Sequence, residues 1–247
     1  MNYSGFAALY DHLMSEAPYD SWVDYIKRSC ERTDLTGLRL LDVGCGTGEL
    51  LMSLLQEEMN VTGVDLSPEM LAMAQDKASK KGWNPWLVEA DMTDLEVLGE
   101  YDLVTVFCDS LNYLPDSVSV QRAFHSFANQ LVTGGLLLFD VHSQQKINKG
   151  FVGQTFADAD DDVSYIWTSY AGEEADSVEH ELSFFAKMAD DRYERFDEIH
   201  FQRTFPVTDY LDWLSQAGFK VEAVTADFST RQPCENSERI FFKAVKV

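Results

Sequence analysis

The chain has 247 residues, of which 45% are apolar and 13% aromatic, enough for a substantial buried core. Lys and Arg number 19 against 42 Asp and Glu, a formal charge of −23. Such a charge repels phosphate backbones and anionic membrane surfaces, so direct nucleic-acid binding is not expected. The acidity serves solubility, or a site that favours cationic or amine substrates.

Four cysteines, Cys30, Cys45, Cys108 and Cys234, form no C-x-x-C pair. They suit a reducing cytosol. The N-terminal "MNYSGFAALYDHLM" lacks a basic region and an uninterrupted apolar stretch. A cytoplasmic chain without signal peptide or membrane span is the expectation.

Residues 3–34 read as helical, with Phe6, Leu9, Tyr10, Leu13 and Met14 at three- and four-residue spacings. Trp22, Tyr25 and Ile26 share one face of a second stretch, for which Asp20 or Ser21 offers a cap. An alternating series follows. Strands are expected at 38–43, 61–65, 85–91, 101–108 and 135–141, and helices at 48–58, 67–82 and 116–132. Ser67 caps the second of these helices, Pro68 opens it and Gly82 ends it, while Asp116 opens the third.

Continuous apolar strands alternating with amphipathic helices predict a doubly wound α/β fold, with a mostly parallel sheet covered on both faces. Between 144 and 205 the helical period disappears. "VSYIWTSY", "SVEHELSFFAKM" and "YERFDEIHFQRTF" predict about three antiparallel strands, inserted as a lid or an interface. The alternation resumes with a helix at 207–218 and two closing strands. Residues 1–143 and 206–247 thus form one core, with 1–34 as a helical cap and 144–205 as a β insertion.

The chemistry gathers at the strand ends, where ligands of open α/β sheets bind. "LLDVGCGTGELL" joins the first strand to a helix and carries Gly44, Gly46 and Gly48. A dinucleotide fingerprint requires glycine at position 49, which is Glu49. An acid at the helix start also opposes a pyrophosphate there. A ligand with a cationic or zwitterionic end suits Asp42 and Glu49 better; a plain structural turn is the alternative. Asp65 ends the second strand and can accept two hydrogen bonds from ribose hydroxyls. Asp91, ending the third strand beside Met92, can take an adenine amine or simply turn the chain. "FCDSLNYL" ends the fourth strand with a polar cluster.

Together "LLDVGCGTG", "GVDLSPEML", "EADMTDL", "FCDSLNYL" and "LVTGGLLLFDVHS" resemble the successive motifs of class I S-adenosylmethionine-dependent methyltransferases. The N-terminal "FAALYDHLM…YDSWVDYI" is most similar to the small bacterial YqeM-type group. The insertion resembles that of small-molecule N-methyltransferases acting on glycine or amino sugars. The resemblance implies a seven-stranded sheet and S-adenosylmethionine as cofactor. It implies that Gly44 and Gly46 admit the methionine part, and that Asp42 or the backbone beside it meets its ammonium. It assigns the ribose to Asp65, the adenine to Leu66, Met70, Asp91 and Met92, and the region of the sulfur to Asp109 or the Cys108 carbonyl. Tyr10 corresponds to a tyrosine that closes over the methionyl end, or else packs in the core.

Some amino-sugar relatives carry a histidine where this chain has Tyr113, which counts against a histidine base at that position. No catalytic residue is therefore assigned. Asn112, Tyr113 and His142 are the candidates for positioning the acceptor, and His200 and Arg203 can line the lid. No cluster has metal-ligand spacing, so no metal is expected. A small soluble acceptor, most simply an amine, is the leading expectation, with a homodimer through the insertion. The alternatives are a protein substrate, a nicotinamide-dependent oxidoreductase on the same kind of sheet, or a non-catalytic binding module.

Overall fold

The structure, a computed structural model, describes residues 6–14, 17–188 and 190–247. The N-terminal helical run resolves into α1 (Phe6–Leu13) and α2 (Tyr19–Ser29). Pro18 stands at the break, having no N–H to donate. It occupies the N-cap position, so neither Asp20 nor Ser21 caps α2. The expected helical residues 3–5, 15 and 16 lie outside the described residues.

The core then runs β1 (Arg39–Val43), α3 (Glu49–Gln56), β2 (Asn60–Asp65), α4 (Pro68–Lys80), β3 (Trp86–Glu89), β4 (Tyr101–Val106), α5 (Ser117–Gln130) and β5 (Leu131–His142). Both predicted side-chain caps form: Ser67 accepts from Met70 N–H, and Asp116 from Ser119 N–H. β5 starts four residues earlier than its apolar run. The Gln130 side chain grips Glu96 O and Leu98 N–H at 2.9 Å each, and the chain turns straight from α5 into the strand.

After β5 come a π-helical turn (Lys146–Phe151), β6 (Thr155–Ala159), β7 (Val163–Ala171), β8 (Ser177–Lys187) and β9 (Tyr193–Arg203). α6 (Val207–Gln216), β10 (Phe219–Ala226) and β11 (Arg239–Lys246) complete the core.

Seven strands form one sheet in the order β10-β11-β5-β4-β1-β2-β3. β1 to β5 are parallel, and β11 runs antiparallel to both β5 and β10. Successive residues point to opposite faces, so each apolar pair serves two cores. Leu41, Leu137 and Phe242 pack with Phe124, Phe127, Tyr210 and Leu214 of α5 and α6. Leu40, Leu138 and Phe241 pack with Trp22, Ile26, Leu50, Leu54 and Ala78 of α2, α3 and α4. This explains why the strands read as continuous apolar runs.

The insertion is a separate antiparallel sheet in the order β6-β7-β8-β9. It has four strands, one more than expected. β6 lacks an apolar alternation, since only Phe156 is even half-buried, and an acidic run follows it. The chain leaves β1 for β2 on one side and later places β4 on the other. That reversal opens a cleft at the carboxyl ends of β1 and β4.

Candidate active site

The glycine loop forms the floor of this cleft. Gly44 has φ +71°, and a Cβ there would lie 2.6 Å from Ser110 Oγ. The Ser110 hydroxyl reaches the Gly44 and Phe107 carbonyls at 3.3 and 2.8 Å. Glycine is thus required at 44 by the chain behind it as well as by backbone angle. Gly46 differs. Its φ is +55°, and no atom lies within 4 Å of where a Cβ would be. The loop is bare on that side and accessible to a ligand.

Asp65 anchors the loop from β2. Its Oδ2 accepts from Gly46 N–H at 2.8 Å and its Oδ1 from Ser67 N–H at 2.9 Å. A carboxylate has about four lone-pair sites, so two remain for a ligand's hydroxyls. Leu66 beside it is 69% exposed, an apolar side chain held at the rim. Met70 is half-buried on the first turn of α4. Asp91 is exposed and accepts from Thr93 N–H at 2.8 Å. Met92 turns inward against the core, its Cε 3.9 Å from the Gly44 Cβ position.

Asp42 lies beneath the loop, buried. Oδ1 accepts from the Thr105 hydroxyl at 2.9 Å, and Oδ2 has no hydrogen-bond partner. Burial, aided by the charge of Asp65, raises its pKa to about 7. A buried acceptor without a partner calls for a donor.

At the end of β4 both Cys108 and Asp109 adopt left-handed backbone, with φ 55° and 54°. A buried network holds this bend. Asp109 N–H donates to Asp140 Oδ1 at 2.8 Å. Asp109 Oδ1 meets Arg239 at 3.0 Å, and Oδ2 accepts from Gln202 at 2.7 Å with His142 Nε2 at 3.3 Å. Arg239 also pairs with Asp140 at 3.1 Å, and Trp22 Nε1 donates to Asp140 at 2.7 Å. Burial alone would raise the pKa of Asp109; His142 and Arg239 outweigh it and hold the carboxyl well below the usual range. Asp140, Arg239 and Gln202 were not singled out in the sequence, and Trp22 was read there only as part of an apolar helix face. The available signal was Asp140 inside the apolar run "GLLLFDV", because a buried charge requires a partner.

Asn112 follows in a 3-10 turn, Ser110–Tyr113. Its side chain is committed to backbone: Nδ2 donates to Arg203 O at 2.7 Å, and Oδ1 accepts from His142 N–H at 2.9 Å. His142 is buried, its ring edge-on to Phe151. Tyr113 is 46% exposed, and its hydroxyl lies 3.4 Å from His200 Nδ1 of β9.

α1 covers the cleft. Burial, then the charges of Cys108 and Asp109, push the Tyr10 hydroxyl well above its usual range, and Tyr113 acts in the same direction. Tyr10 therefore lies over the end of β4. Asp11 accepts from the Thr47 hydroxyl of the glycine loop and pairs with Lys77 of α4 at 2.6 Å. Lys77 also binds Glu49 at 2.6 Å. Leu9 is buried against Val163, Leu182 and Phe184 of the insertion. The insertion thus roofs the cleft through α1, through Gln202 and through His200.

The methyltransferase-domain family matches residues 40–135. The chain is 47% identical to a methyltransferase of Geobacillus sp. strain WCH70, over all of both chains. It is 47% identical to the methyltransferase YqeM of Bacillus subtilis strain 168, covering 100% of this chain and 98% of that one. The S-adenosylmethionine-dependent methyltransferase of Clostridium acetobutylicum has a similar structure, at TM-score 0.88 and 32% identity, over 98% of this chain and 97% of that one. This chain belongs to the YqeM-type S-adenosylmethionine-dependent methyltransferases. The sugar N-methyltransferase KedS8 of Streptoalloteichus is also similar, with TM-score 0.78 and 25% identity over 100% and 95% of the two chains.

The residues of this methyltransferase fit the cofactor. The unpartnered Asp42 Oδ2 and the bare loop at Gly46 suit a ligand with an ammonium group. Asp65 retains acceptor capacity for ribose hydroxyls, and Leu66, Met70 and Met92 offer apolar cover for a ring. When bound, S-adenosylmethionine supplies an activated methyl group on a sulfonium. The protein's part is to orient and to exclude water. α1 and the roof sheet close the site, while the Asp109–Arg239–Asp140 network fixes the backbone where β4 ends.

Proposed function

We propose that this methyltransferase acts on a small soluble molecule and methylates an amine nitrogen. One observation carries the reading: the roof above the cleft brings Gln202 to Asp109 and His200, paired across the sheet with His180, to Tyr113, so polar side chains line the cleft beneath it. The sugar N-methyltransferase KedS8 shares this architecture and supports a nitrogen acceptor. Similarity to ubiquinone-biosynthesis O-methyltransferases spans only 42% of this chain, so it bears on the cofactor half alone.

The test is incubation with methyl-labelled S-adenosylmethionine and a metabolite extract. Label in a basic small molecule supports the reading. Label confined to protein would replace it with a protein acceptor. We extend the reading to a cytoplasmic reaction, since the four free cysteines agree with a reducing compartment.

We also propose a homodimer through the roof's outer face. Ile166, Tyr170, Ile199 and Phe201 are exposed on it. Light scattering is expected to give a dimer mass that falls to a monomer in Phe201→Glu; a monomer in both proteins would remove the proposal.

A further inference from the structure

The inner face of the roof sheet is largely apolar. Val163, Val178, Leu182, Phe184 and Ala186 are buried there, against Leu9 of α1 and Phe151. On β9, the strand at the sheet's edge, the same face carries Glu198, His200 and Gln202, paired across to Leu182, His180 and Val178. Three of these polar side chains have partners. Gln202 donates to Asp109. His180 Nδ1 accepts from Trp167 Nε1 at 2.9 Å, which leaves its proton on Nε2. His200 faces the Tyr113 hydroxyl.

Glu198 is the exception. It is half-buried, burial raises its pKa, and no hydrogen bond or ion pair reaches it from any described residue. It lies two residues from His200, about 7 Å along the same face. None of the described cations pairs with it. Arg239 is held by Asp109 and Asp140, Arg203 by Glu174 and the Pro115 carbonyl, and Arg195 by Asp197. Solvent still reaches its oxygens, so a donor on a ligand can take the place of that water. An acceptor bearing a carboxylate would meet the like charge of Glu198 there.

We propose that Glu198 selects the methyl acceptor by binding a protonated amine on it, beside His200 and Tyr113; where that nitrogen is the one methylated, it gives its proton to solvent before its lone pair attacks. The enzyme would then take cationic amines, such as amino sugars or alkylamines, and reject amino acids and other acids. This rests on the methyltransferase reading.

The test uses the full chain saturated with S-adenosylhomocysteine, titrated by calorimetry with benzylamine and glucosamine, and with the matched acids benzoate and glucuronate. At least one amine is expected to bind about tenfold more tightly than its acid, and Glu198→Gln to remove about that tenfold. The variant keeps its affinity for S-adenosylhomocysteine, which distinguishes a lost subsite from a lost fold. Amines that bind no better than their acids, or that bind Glu198→Gln as they bind wild type, overturn the proposal. Failure of S-adenosylhomocysteine itself to bind wild type would remove the methyltransferase reading instead.

Discussion

Asp42 and Asp109 are two carboxylates, one buried and one partly so, pushed in opposite directions. Asp42 has one partnered oxygen, and its pKa is raised to about 7. The native state therefore holds a proton that the unfolded chain, at about 3.9, has released. Stability of the ligand-free fold from this group is full below the unfolded value and is lost as pH rises through about 7. Ligand binding runs the other way, because an ammonium needs the ionised carboxylate. S-adenosylhomocysteine is expected to bind more tightly at pH 8 than at pH 6, and Asp42→Asn to bind weakly with a flat profile. Equal calorimetric affinity at both pH values would take Asp42 out of the site.

Asp109 is ionised because Arg239 and His142 face it. Its contribution is present above the ordinary carboxylate range and is lost on acidification. Arg239→Met would leave Asp109 and Asp140 without their shared guanidinium. The expected loss is about 3–5 kcal/mol by urea unfolding, with partial recovery on adding Asp140→Asn. A loss under about 1 kcal/mol would mean that the network is not a structural clamp.

At the scale of elements, α1 is held by polar contacts as well as by the burial of Leu9. Asp11 bridges Thr47 and Lys77, His12 meets Asp160 of the β6–β7 turn at 2.8 Å, and Leu9 enters the roof. Partly exposed ion pairs contribute about 1 kcal/mol or less. Lys77→Met should therefore leave the melting temperature nearly unchanged while amide exchange in 6–13 accelerates. Unchanged exchange would show that the Lys77 bridge does not hold the helix.

These contacts also mark where sequence reading ends. Ser67 and Asp116 were readable as caps, since a cap acts three residues away. The Gly44–Gly46 loop and Asp65 were readable because strand ends carry ligands. Gln202 reaches Asp109 across 93 positions, and Arg239 reaches it across 130. No periodicity reports contacts of that length. β6 was missed for a different reason: it is an exposed strand whose hydrogen bonds to β7, not its side chains, define it.

For the molecule as a whole, the parallel sheet was legible because β1, β2, β4 and β5 are buried on both faces and read as largely apolar runs. The antiparallel course of β11 was not, since strand direction is set by chain connection and not by composition. The roof sheet's outer face, with its exposed Ile199 and Phe201, alternates as a half-solvated antiparallel sheet should. Together the two sheets enclose the ends of β4 and β5 beneath α1. The account depends on the glycine loop and Asp65 receiving S-adenosylmethionine there. The most direct measurement is a thermal shift with S-adenosylhomocysteine and, separately, with NAD. A ligand at about 100 times its Kd adds about 2.7 kcal/mol, or roughly 5–10 °C for a chain of this size. The predicted result is that rise with S-adenosylhomocysteine, none with NAD, and loss of most of it in Asp65→Ala. A rise with NAD alone, or an unchanged rise in Asp65→Ala, would contradict the site as described.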